Sequence, residues 1–186
     1  MFHRSRSDSV TEDNPTLNSS SATLTLVCGL PGSGKSFLAR RLAQALNAEY
    51  ISSDAVRMRV LEQRSYSAQE RSDIYSLMLE MTRDALHEGR KVVADATFYR
   101  RALRDEFRAI AAGLNIPFKL IEVRAARATI ERRLNRPRRT SEADLAVHDK
   151  IAAEFEAIEF DRLVLHSDDE TRDDERLDAA LRYLES

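Results

Sequence analysis

The stretch Gly29-Leu30-Pro31-Gly32-Ser33-Gly34-Lys35-Ser36 lies between an apolar, β-branched run, Thr23 to Cys28, and a segment carrying Phe37, Leu38, Leu42 and Leu46 at near-helical spacing. Strand, glycine-rich turn and helix in that order make a cradle for an anion. Three of the chain's five glycines fall in this turn. A backbone that wraps around phosphates needs positive φ angles and close approach without a Cβ, which frees its amides to point inward. In this Walker A pattern Lys35 reaches the β- and γ-phosphates of a nucleoside triphosphate. The Ser36 hydroxyl ligates Mg²⁺, and the following helix turns its positive dipole end to the anion. A glycine-rich turn that only joins strand to helix is the plain alternative.

At 186 residues the chain suits one α/β domain with a substantial core and is too short for two full ones. The net charge of −2 and a pI near 6.1 give no global positive field to gather nucleic acid or an anionic membrane, so a polyanionic partner would need a local patch. The lone cysteine, Cys28, excludes an internal disulfide and fits a small buried hydrophobe. No apolar run approaches the roughly 18 residues of a membrane span, and the N-terminus lacks the apolar core of a secretory signal, which makes the cytoplasm the expected compartment. Residues 1–21, rich in Ser, Asp, Asn and Arg without periodicity, are expected to form a disordered tail ahead of a domain at 22–186.

Beyond the first helix, Glu49 to Ser52 reads as a strand running into a helix from Ser53-Asp54. Ser67-Ala68-Gln69-Glu70 then forms a capping box for a long helix through Ile74, Leu77, Met78, Met81 and Ala85, which Gly89 stops. Val92 to Asp95 is a strand, Leu103 to Ala111 a helix ended by Gly113, and Pro117 to Val123 a strand. An Arg-rich helix, a polar break at Pro137 to Ser141, a helix through Phe155, a strand at Leu163 to Leu165 and a terminal helix on Leu177, Ala180, Leu181 and Leu184 complete the chain. This alternation predicts an α/β fold with a five-stranded parallel sheet and helices on both faces. Ligands in such sheets bind outside the carboxyl ends of the strands, which gathers Gly29 to Ser36, Asp54, Asp95 and the segment after Val123 on one edge.

Several side chains on that edge carry chemistry. Asp54, past the second strand, is placed to accept a proton from an attacking hydroxyl, and Arg57, one turn on, to hold an anion of the acceptor bidentately. Equally, Asp54 can simply cap its helix with Arg57 paired to it on the surface. Asp95 ends an apolar strand where a carboxylate supports Mg²⁺ through its water shell, or else it caps the next helix. Ala96 follows it where hydrolytic motors place a glutamate, so water activation by that route is excluded. Between Arg124 and Arg139 arginines crowd a helix and the break after it, with Arg132 and Arg136 four apart on one face. They form either a lid over the transferring phosphoryl group, at about 132–145, or a solvated face paired with Glu131, Glu142 and Asp144. His3, His87, His148 and His166 lack metal-ligand spacing, which points to structural or surface roles.

Taken together, Gly29 to Ser36, Ser53-Asp54-Ala55-Val56-Arg57, Asp95-Ala96-Thr97 and the arginines resemble the small P-loop kinases. The likeness, over about residues 22–160, is to the group with polynucleotide 5′-kinase domains, zeta-type toxins and chloramphenicol phosphotransferase, often labelled AAA-domain ATPases. The resemblance implies an adenylate-kinase-like three-layer core with a helical lid, ATP·Mg²⁺ as donor and a hydroxyl-bearing acceptor, with Asp54 as base. Arg57, Asp95 and Thr97 would then face the substrate, Ser36 and Asp95 the metal, Arg132 the nucleotide and Arg136 the transferred phosphoryl. Phe98 departs from the polynucleotide-kinase pattern, where an asparagine commonly follows Asp-x-Thr.

A kinase acting on a small alcohol or a nucleic-acid 5′-hydroxyl is therefore the leading expectation. A nucleotide-binding switch with slow hydrolysis is the alternative from another class, although no Asn-Lys-x-Asp or Leu-Ser-Gly-Gly-Gln segment occurs. A toxin-like kinase of nucleotide sugars is the third.

Overall fold

The computed structural model describes residues 22–60, 68–134 and 145–186. The expected tail at 1–21, Ser67 of the capping box and most of the expected lid lie outside these residues. Five strands, β1 (Leu24–Cys28), β2 (Glu49–Ser52), β3 (Val92–Asp95), β4 (Phe118–Arg124) and β5 (Leu163–His166), form one all-parallel sheet in the order β2-β3-β1-β4-β5. Between and around them run α1 (Lys35–Leu46), α2 (Ser53–Val60), α3 (Ala68–His87), α4 (Arg101–Gly113), α5 (Arg127–Leu134), α6 (Leu145–Ala153) and α7 (Asp173–Glu185).

Strands β1 and β3 are buried along their whole length, as expected of strands that face apolar layers on both sides. On one face Leu24, Leu26, Ala94 and Leu120 pack against Ile74 and Met78 of α3, Phe107 of α4 and Ile158. On the other, Val27, Val93, Ile121 and Val123 pack against Leu38, Ala39 and Leu42 of α1 and Ala180 of α7. Each fully buried Leu or Phe contributes on the order of 1.5–3 kcal/mol. Because β1 leads outward to β2 and β3 on one side while β4 and β5 lie on the other, the turn after β1 sits at the switch in strand order.

Two termini refine the sequence reading. The long helix stops at Gly89, where Arg90 N–H returns to Ala85 O at 3.0 Å. By contrast, Gly113 is still helical, and the left-handed residue that ends α4 is Asn115, at φ 53°, with Ile116 N–H closing on Ala111 O. Asparagine tolerates that conformation, so the chain turns two residues later than the glycine suggests.

At the carboxyl end of the sheet, Glu122 of β4 is buried and accepts from Arg124 Nε at 2.7 Å, Arg124 Nη2 at 3.0 Å and Arg162 Nε at 2.7 Å. Burial alone would raise its pKa, but the hydrogen bonds from Arg124 and Arg162 outweigh it and hold the carboxyl below the ordinary 4.5. A lowered acid pKa adds stability above the unfolded value, and that stability is lost as pH falls through the folded one. Glu122→Gln should therefore lower thermal stability at pH 7 by about 1.5–3 kcal/mol, with the gap from wild type closing as pH drops below about 4.5, as followed by thermal melts across pH.

Candidate active site

Conformation fixes the glycines of the loop before chemistry does. At Gly29, φ is 148° and a Cβ would lie 2.3 Å from Val123 O, so no other residue fits beneath the loop. Gly34, at φ 87°, is the N-cap of α1, which places Lys35 and Ser36 in the first turn with the helix's unpaired amides. The loop's carbonyls are taken from outside. Arg133 of α5 donates to Gly32 O at 3.3 Å, to Ser167 Oγ at 2.9 Å and to Ser167 O at 2.5 Å. Ser167 Oγ in turn donates to Ser33 O at 2.5 Å. From α6, the buried His148 bonds Pro31 O through Nδ1 at 2.9 Å, and since a carbonyl only accepts, that nitrogen carries the proton.

Across the loop opens a cleft of about 870 Å³, lined by Gly32, Lys35, Ser36, Asp54, Arg57, Asp95 and Thr97 among others. The sequence-predicted loop, base, metal-side carboxylate and threonine thus meet in one cavity. Asp95 is 2% exposed and its Oδ2 accepts from Tyr50 Oη at 2.6 Å. Burial raises its pKa, opposed by Lys35 and by hydrogen bonds from Tyr50 and Ser36. Among the described residues its Oδ1 is buried without a hydrogen-bond partner. An orphan carboxylate oxygen beside the Ser36 hydroxyl is an oxygen donor set that fits Mg²⁺ with its waters. Asp95 caps no helix, since α4 starts at Arg101 with Arg100 as its N-cap.

Asp54 is likewise not the cap of α2: Ser52 Oγ accepts from Ala55 N–H at 3.1 Å, leaving the Asp54 carboxylate in the first turn, half-exposed to the cleft. The pairing with Arg57 does form, at 3.2 Å, but Arg57 is only 12% exposed and also donates from Nε to the buried Glu70 at 2.9 Å. Glu70, expected in a capping box, ties α3 to α2 through this arginine.

The expected lid arginines divide differently. Arg136 lies outside the described residues. Arg132 is exposed and does not line the cleft, whereas its neighbour Arg133 is buried against the loop. Arg132 lies on the exposed side of α5, whose buried side is the one shared by Thr129, Ile130 and Arg133. Sequence reasoning also passed over Ser167, although it follows β5 on the ligand edge, and over the tyrosines of β2 and α3. Tyr75 Oη accepts from Phe98 N–H at 3.0 Å and lies 3.0 Å from Thr97 Oγ1. Phe98 holds φ 46° while fully buried, and its carbonyl accepts from Arg104 at 2.7 Å. Arg104, 1% exposed, also donates to Glu156 O at 3.1 Å and Ala157 O at 2.7 Å.

Replacing Arg133 with Met removes the bond to Gly32 O and the bonds that position Ser167, which holds Ser33 O, and should weaken ATP binding about tenfold or more by calorimetry, with Ser167→Ala costing less, about 0.5–1.5 kcal/mol of stability. For Asp95 the sign is opposite to that of Glu122: a raised acid pKa makes the folded state lose stability as pH rises from the ordinary 3.8. Asp95→Asn should melt no lower than wild type at pH 7 and show a flatter melting profile between about pH 4 and 7, while Mg²⁺-dependent gain in nucleotide affinity disappears.

A profile of the AAA domain family matches residues 24–158. The uncharacterized protein Rv2004c of Mycobacterium tuberculosis is 34% identical over 108 residues, 52% of this chain and 22% of that protein, so the chain spans about a fifth of that relative's length. A putative kinase from Chloroflexus aurantiacus superposes with a TM-score of 0.72 at 13% identity, covering 89% of this chain and 97% of that one. The APS kinase CysC of Mycobacterium tuberculosis, in complex with AMPPNP and APS, superposes with a TM-score of 0.66 at 20% identity, covering 89% and 98%. By the match over residues 24–158 this chain belongs to the AAA domain family, and its five-stranded parallel sheet has the fold of the small P-loop kinases.

Proposed function

We propose that the domain is a kinase that transfers the γ-phosphoryl group of ATP, with Mg²⁺, to an alcohol. The observation that carries this is the position of Asp54: a carboxylate that is not spent on capping opens into the same cleft as Lys35, Ser36 and Asp95. Ala96, buried and without a polar side chain, offers nothing to orient water, which favours an organic hydroxyl over hydrolysis. The APS kinase superposes in complex with a non-hydrolysable triphosphate and an acceptor, and this supports a donor and an acceptor sharing one cleft here.

In this reading the amides of Gly32 to Ser36 and the Lys35 ammonium hold the β- and γ-phosphates, and Arg133 and Ser167 keep the loop in the shape that does so. Ser36 and Asp95 would hold Mg²⁺, which would offset the negative charge of the phosphates. Asp54 takes the proton of the acceptor hydroxyl as its oxygen bonds to the γ-phosphorus. The bond from that phosphorus to the bridging oxygen breaks, and ADP leaves with the electron pair. Arg57, which also donates to Glu70, directs the Asp54 carboxylate through its own hydrogen bond to it. Residues 132–145, carrying Arg132 and Arg136, would close over the phosphoryl group as a lid.

The test is transfer of label from γ-labelled ATP with Mg²⁺ to a panel of alcohols and 5′-hydroxyl oligonucleotides. At least one class should be labelled, and Asp54→Asn should cut that turnover by about 10²–10⁴ while ATP affinity stays within about twofold. Label reaching only water, or Asp54→Asn turning over like wild type, overturns the assignment.

A further inference from the structure

We propose that Tyr50 of β2 is a positioning and selectivity residue for the divalent cation that accompanies ATP. By holding one oxygen of Asp95 it leaves the carboxylate a single oxygen to offer, which suits Mg²⁺ and disfavours Ca²⁺. This rests on the placing of Mg²⁺ at Asp95 in the reading above and is independent of the acceptor.

Strand register builds the contact. The pairing of β2 with β3 sets Tyr50 beside Val93 and Ser52 beside Asp95. Side chains alternate between the two faces of a strand, so these four share one face, and it is the face on which Val93 and Tyr50 pack against Leu38, Ala39 and Leu42 of α1. The phenol ring spans the two-residue step toward the carboxyl end of the sheet, and its Oη donates to Asp95 Oδ2 at 2.6 Å. Phenylalanine would fill the same space against Val93 and α1. Packing therefore accounts for the ring, and Asp95 accounts for the hydroxyl.

The two oxygens of Asp95 are unequal. Its neighbour across β1 is the apolar Val27, and its neighbour across β2, Ser52, engages its Oγ with Ala55 N–H at 3.1 Å. Tyr50 takes Oδ2, whereas among the described residues Oδ1 is buried with no hydrogen-bond partner. One oxygen is tied to the adjacent strand, and the other is untied on a side chain that lines the cleft with Lys35, Ser36 and Tyr50. Turning the carboxylate to offer both oxygens at once would give up the Tyr50 bond in the interior, where an unmade hydrogen bond costs most.

Cation chemistry turns this inequality into selectivity. Ca²⁺ gathers many oxygens in a flexible shell and often takes both from one carboxylate. Mg²⁺ demands near-octahedral geometry and keeps several waters, so a single carboxylate oxygen serves it. A carboxylate with one oxygen tied meets the second demand and fails the first. The hydrogen-bond partner of such a carboxylate also fixes its direction, and loss of a partner of this kind costs about 10–100-fold in metal affinity.

The experiment measures binding of a non-hydrolysable ATP analogue by calorimetry in EDTA, in Mg²⁺ and in Ca²⁺, on wild type, Tyr50→Phe, Asp95→Asn and the double variant. In wild type Mg²⁺ should raise affinity more than Ca²⁺ does. Tyr50→Phe, which keeps the ring and removes only the hydroxyl, should cut the Mg²⁺ gain about tenfold, bring the Mg²⁺-to-Ca²⁺ ratio toward one and leave affinity in EDTA within about twofold. Adding Tyr50→Phe to Asp95→Asn should change the metal gain no further, because the hydroxyl acts through that carboxylate. If Asp95→Asn abolishes the gain while Tyr50→Phe moves neither gain nor ratio, the inference is overturned and the metal reading stands. Affinity lost equally in EDTA and in Mg²⁺ makes Tyr50 a merely structural residue and also overturns it. So does a wild type that gains as much from Ca²⁺ as from Mg²⁺, a result that needs no variant to fold. Should Asp95→Asn keep the wild-type gain, the metal reading itself fails and the role of Tyr50 falls with it.

Discussion

A loop that offers its amides to an anion must turn its carbonyls away, and in a crowded site those carbonyls need donors. In this protein the donors come from three separate elements: Arg133 from α5, Ser167 from the end of β5 and His148 from α6. Each is buried, so each bond is protected from water and expensive to lose. Phosphate binding is therefore a property of the whole carboxyl edge of the sheet. The octapeptide supplies backbone freedom, and distant segments supply the shape.

That edge exists because of strand order. Placing β1 at the centre with β3 and β4 on either side brings the ends of Cys28, Ser52, Asp95, Arg124 and His166 to one rim, and each of those ends carries a group of the site or its support. The core residues beneath make this rigid. Polar groups sit at the rim with specific partners, as Glu122 does between Arg124 and Arg162, so that burial does not leave them uncompensated.

Local chemistry in the sequence carried the strands, the helices and the glycine loop, because strict periodicity and special backbone angles leave direct marks on residue choice. Gly113 misled, since asparagine at 115 serves the same turn and a glycine near a helix end is the stronger local signal. The positions of Asp54 and Asp95 were legible from strand ends, yet whether they capped helices was not, because Ser52 and Arg100 compete for those places and only three-dimensional geometry decides. Arg133 stayed hidden for a different reason. Several arginines share one short helix, and which one is buried depends on how α5 lies against the loop, a long-range fact with no local signature. Tyr50, Tyr75 and Ser167 act through partners more than 20 residues away and look like ordinary core or loop positions along the chain.

Arg104 has a mechanical implication. Among the described residues its guanidinium has no carboxylate in an ion pair, and it is solvated by the carbonyls of Phe98, Glu156 and Ala157, with Phe155 under its charge at 5.9 Å. Breaking that cage would strand a cation in the interior, so the chain just beyond α6 is welded to the turn that carries Thr97. Any displacement of α6 would therefore have to be absorbed before Glu156, where the chain is tied down.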